Sequence, residues 1–142
     1  MNSRFIAALI ALLIALEAAA FGALSAIHAG VPMFGIADPP TRTVAAVEAA
    51  GIVLFVLCLG AVLAKLRWAR AAAFIAHGFA VAAVMMGMAN LALAQTPRSV
   101  ANDYLYRVVL LVSLLMLVFL LTPAARAALE RGEPRRPPAR TP

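Results

Sequence analysis

An all-α membrane protein, a four-transmembrane-helix up-down bundle, is the fold class this sequence predicts, and three observations carry it. Of the 142 residues, 65% are hydrophobic and only 13% charged, against ~45–50% apolar and ~25% charged in soluble domains. The apolar residues fall into four blocks that, at ~1.5 Å per residue, approach or exceed a hydrocarbon core of ~30 Å. Between the blocks stand prolines, charges and interfacial aromatics, the residues that collect where a chain leaves a bilayer.

The first block, residues 5–29, has no Lys, Arg or Pro and one acid, Glu17. Its start has the parts of a secretory signal, with Arg4 before an apolar run and Ala18, Ala19 and Ala20 as small residues suited to cleavage. The hydrophobicity continues past them to Ile27, so an uncleaved span is expected. Residues 30–43 include Pro32, Gly35, Pro39 and Pro40, and no regular helix should cross them. The second span, 44–64, closes on Lys65, Arg67, Trp68 and Arg70, charges around an aromatic that are the expected contacts to lipid headgroups. The third span is 71–94. After a loop with Pro97, Arg98 and Asp103, the residues Tyr104 and Tyr106 mark the next interface, and the fourth span runs over 105–121 until Pro123 ends it.

Residues 1–122 thus form one transmembrane domain and 123–142 a basic Pro/Arg-rich tail. Within the tail, 124–131 suits a short helix with Arg126 and Glu130 spaced i, i+4. Residues 132–142, with four prolines and three arginines, are expected to be disordered. If the N-terminus is cytoplasmic, nine basic residues lie inside and only Arg42, Arg98 and Arg107 outside. The positive-inside rule then puts both termini in the cytoplasm.

The net charge of +6 does not point to nucleic acid, because the basic residues flank apolar spans and form no stripe with interleaved aromatics. Cys58 is the single cysteine, lies in an apolar run and reads as a small buried hydrophobe. No Ser/His/Asp set or glycine-rich phosphate loop is present, so a non-enzymatic protein without cofactor is expected. His28 and His77 differ by ~24 Å in estimated depth and cannot flank one haem iron. His28 with Glu48 supplies only two metal ligands, and Met85, Met86 and Met88 point in different directions, so no metal site is expected.

The helical faces sort the polar residues. At 100° per residue Glu17 shares a face of the first span with Ile10, Leu13, Ile14, Phe21, Leu24 and His28, the last ~16 Å further along the axis. Ala18, Gly22, Ala26 and Gly30 form an opposite small-residue stripe suited to close helix packing in lipid. After Tyr106 and Arg107 at its start, Ser113 is the only polar residue of the fourth span, which is therefore expected to be the most lipid-exposed, with the first three spans as the tight core. Depths of ~18 Å for Glu17, ~27 Å for Glu48, ~30 Å for Asn90 and ~34 Å for His28 gather these four as candidate proton- or ligand-binding residues in the outer half. His77, at ~10 Å, is set apart.

Four spans with a lone glutamate midway along the first resemble the small multidrug resistance transporters, whose first-helix glutamate binds proton and cationic substrate in an antiparallel dimer. That resemblance rests on Glu17 and implies proton-coupled transport. The chain departs from it in a longer first loop, a second intramembrane acid, a charged tail and a basic asymmetry at odds with dual insertion. The Leu-Glu-Ala run at Leu16 to Ala18 and the basic-Trp-basic junction at Arg67 to Ala71 resemble uncharacterised small four-span integral membrane proteins of high-GC bacteria. That resemblance implies a bacterial cytoplasmic membrane and no activity. The expected function is helix packing in the lipid bilayer, as a homo-oligomer or an accessory subunit of a larger membrane complex. The alternative is a proton-coupled transporter or small-ligand binder using Glu17.

Overall fold

The structure is a computed structural model that describes residues 2–36, 39–93 and 99–130. The described residues form five helices and no strand: α1 (Ser3–His28), α2 (Arg42–Leu63), α3 (Ala69–Leu93), α4 (Val100–Leu120) and α5 (Pro123–Leu129). The first four are long and apolar enough to cross a membrane. Residues 132–142, expected to be disordered, lie outside the described residues, as does Arg131.

Local chemistry sets the helix ends. Asn2 caps α1 by accepting from the Arg4 amide, and Thr122 caps α5 with Pro123 in the first turn. α4 starts five residues before the expected position because the Ser99 hydroxyl accepts from the Asn102 amide. This takes Asn102 and Asp103 from the expected loop into the helix. α1 ends in a Schellman turn, with Val31 N–H bonding Ala26 O and Gly30 N–H bonding Ile27 O. Gly30 takes φ 92°, the left-handed conformation that glycine adopts without strain. α2 ends the same way, with Leu66 bonding Ala61 O and Lys65 bonding Val62 O, except that the left-handed position holds Lys65 at φ 55°.

α1 and α2 pair over most of their length. Phe21 meets Gly51, the Ser25 hydroxyl donates to Ala45 O at 3.0 Å, and His28 reaches Glu48. Gly51 has no room for a side chain, since an added Cβ would stand 2.6 Å from the Phe21 ring. α3 and α4 pair likewise, from Arg70 at Leu120 to Gly87 at Tyr106. Phe21, Leu24, Phe55, Ala80, Val84 and Val109 fill the interior, and the Phe21 and Phe55 rings lie 5.5 Å apart.

α4 has the smallest buried share of the four long helices, as the sequence suggested. It is not peripheral to the polar interior, because Asn102, Tyr106 and Ser113 are all buried on its inner face. Its abundance of Leu, Val, Met and Phe hid a polar stripe at 102, 106 and 113, a helical spacing of four and seven residues that puts three hydrogen-bonding side chains on one side. α5 folds back, burying Ala125 and Leu129 against the core. Arg70 holds it by donating to Glu130 at 2.7 Å and to Leu120 O at 3.2 Å.

Candidate functional site

Burial leaves few polar side chains inside the bundle, and they collect in two clusters. One lies at the end of the bundle where α1 stops and α2 and α4 begin. There His28 Nδ1 meets Glu48 Oε2 at 2.9 Å, and the Tyr106 hydroxyl donates to Glu48 Oε1 at 2.6 Å. The other imidazole nitrogen, Nε2, faces Asn102 Nδ2 at 3.3 Å. All four residues are at most 3% exposed, so water does not replace these contacts. With Nδ1 carrying its proton, His28 donates to Glu48 and accepts from Asn102. Three helices are tied by this one carboxylate and its imidazole.

The second cluster lies midway along the spans. Ser113 donates its hydroxyl to Glu17 Oε2 at 2.9 Å, and Glu17 Oε1 faces His77 Nε2 at 3.5 Å. His77 Nδ1 donates to Ala73 O at 2.7 Å, one turn back on its own helix. That bond fixes the tautomer, leaving Nε2 as a bare lone pair when the ring is neutral. Two lone pairs, on Nε2 and on Oε1, then face each other, both buried and without another hydrogen-bond partner among the described residues. A single proton between them resolves this, either as protonated Glu17 beside neutral His77 or as imidazolium beside carboxylate. Both forms are neutral overall, and low-dielectric surroundings favour that. Phe55 closes the cluster, its ring edge-on to His77 at 5.3 Å.

The sequence-derived candidates therefore divide. Glu48 and His28 do meet, whereas Glu17 belongs to the other cluster, three turns along α1 from His28. Asn90 is exposed and reaches neither cluster by a direct contact; it lines a shallow cavity of about 60 Å³ with Glu48 and Gly87. His77 is the correction: set apart by depth, it stands against Glu17. Counting both spans from one membrane edge caused the error. Glu17 lies six residues deeper into α1 than His77 lies into α3, about 9 Å at ~1.5 Å per residue, so their contact sets the start of α1 one to two turns lower than that of α3. The sequence alone assigned Asn102, Tyr106 and Ser113 no role in the interior, although their spacing of four and seven residues on α4 puts them on one face.

The other assigned residues also sort by contact. Ala18, Gly22 and Ala26 are half-buried, and an added Cβ at Gly22 meets nothing within 4 Å. Gly30 leaves that stripe to make the α1 turn. Lys65, Arg67 and Trp68 are exposed at the end of α2. Arg70 turns inward to Leu120, Glu130 and the Phe74 ring, 5.3 Å away, and is committed to holding α5.

Among the described residues no three His, Cys, Asp or Glu side chains converge as a metal-binding group. Four apolar helices around a closed polar interior define a multi-pass membrane protein. Comparison of the chain with protein-family models, curated proteins and solved structures gave no match.

Proposed function

We propose that the chain is a non-enzymatic up-down bundle in a bacterial cytoplasmic membrane, with both termini cytoplasmic, acting through helix contacts as a homo-oligomer or accessory subunit of a membrane complex. The observation that carries this reading is the open small-residue face of α1. An added Cβ at Gly22 meets nothing within 4 Å and the alanines at 18 and 26 are small and half-buried, so another backbone can come close, and in lipid such close approach is what drives helices together. The enclosed carboxylates of Glu17 and Glu48 support it, since each is engaged by side chains of the chain's own helices. The basic asymmetry supports the orientation.

The test is Gly22→Leu, which fills that face without touching either polar cluster. Self-association in detergent, or recovery with a membrane partner, should weaken by at least about tenfold, or ~1.4 kcal/mol. Unchanged association would reject the α1 face as the contact. A second reading, a proton-coupled transporter or ligand binder, is favoured by the Glu17 and His77 pair, whose geometry calls for one proton. Glu17→Gln decides between them. If it abolishes pH-dependent uptake in proteoliposomes while association is intact, the second reading replaces the first.

A further inference from the structure

The interior clusters leave one large feature of the molecule unused. At the end of the bundle where α1 and α3 begin and α2 ends, α5 roofs a cavity of about 490 Å³. Its walls include Ala8, Val62 and Leu129, and its rim carries Ser3, Arg4 and Lys65. An apolar slot with a cationic rim at the end of membrane-spanning helices has the two-part chemistry of a phospholipid: an acyl chain for the slot and a phosphate for the rim.

The charges around it are unbalanced. The one acid on the rim, Glu130, already accepts from Arg70 at 2.7 Å and from Arg126 at 2.8 Å. Among the described residues Arg4 and Lys65 have no ion pair. Lys65 is placed there by the left-handed turn at φ 55° that ends α2, a conformation uncommon for a residue with a side chain. The geometry points to a binding site for one anionic phospholipid, its phosphate held by Arg4, Lys65 and the Ser3 hydroxyl and one acyl chain between α1 and α2 beneath α5. The site uses none of the Gly22 face, so either can fail without the other.

The test uses the full chain in nanodiscs of phosphatidylcholine doped with phosphatidylglycerol, with the lipid retained after release read by native mass spectrometry. Wild type should retain one phosphatidylglycerol in preference to phosphatidylcholine. The double variant Arg4→Gln/Lys65→Gln should weaken that retention by about tenfold or more. Arg42→Gln/Arg107→Gln, which removes the same charge from the opposite end, should leave it unchanged. Ala8→Leu, at an exposed position on the cavity wall, should also lower retention by occupying the slot. Equal retention of the two lipids, equal loss in both double variants, or a lipid-free dimer whose partner fills the slot would each overturn the proposal. Inorganic phosphate that displaces the lipid from wild type but not from Ala8→Leu would show a free anion site and reject the lipid.

Discussion

The two buried clusters use the same three kinds of group and close in opposite ways. Each joins a glutamate, a histidine and a hydroxyl: Glu48, His28 and Tyr106 at the end of the bundle, Glu17, His77 and Ser113 in its middle. In the first, His28 turns Nδ1 to the carboxylate and Nε2 to Asn102, so both nitrogens are used and no further proton is needed. In the second, the backbone of α3 takes Nδ1 of the ring, and what reaches Glu17 is a nitrogen with nothing to donate. The difference lies in where the imidazole's other nitrogen goes. A ring held by side chains acts as a clamp, whereas one held by its own helix makes a proton-dependent contact.

The sharpest way to break this comparison is Glu48→Ala. It strips the buried Tyr106 hydroxyl and His28 of their shared acceptor, and removing one partner of a buried polar pair costs about 3–5 kcal/mol. Unfolding in mixed micelles measures the loss, and a cost below about 1 kcal/mol would show that the end cluster is no clamp. Glu17→Gln should be much milder, within about 1 kcal/mol, because the amide still accepts from Ser113 and its N–H₂ supplies the donor that His77 Nε2 lacks. If Glu17→Gln unfolds the protein as strongly as Glu48→Ala, the two clusters do not differ in kind.

The smallest effect is expected outside the spans, at Glu130. Hydrogen bonds from Arg126 and then Arg70 hold its carboxyl below the ordinary value of 4.5. A lowered value in the folded state means that the contact stabilises the docked α5 at pH above 4.5 and is lost as the pH falls through the lowered value. Limited proteolysis after α4 should therefore speed up in acid for wild type, and Glu130→Gln should show the fast rate already at neutral pH. Because this cluster meets water, its loss should leave the unfolding of the four long helices unchanged.

Local sequence set the number of long helices and their approximate limits, and it gathered His28 and Glu48 in the same half of the bundle without choosing the partner of Glu48. Those features follow from local quantities: apolar run length, breakers such as Pro32 and Pro123, and residues at matching distances from one shared loop. A short connection forces α1 and α2 side by side, so depth counted from their common end is sound. Tertiary structure alone decided that Glu17 faces His77 and that α4 carries three buried polar groups. Those contacts join helices distant in sequence, and their register depends on how far each helix extends beyond the others. Ser99 moves the start of α4, the low start of α1 moves Glu17 to the level of His77, and an error of one to two turns changes a residue's partner entirely.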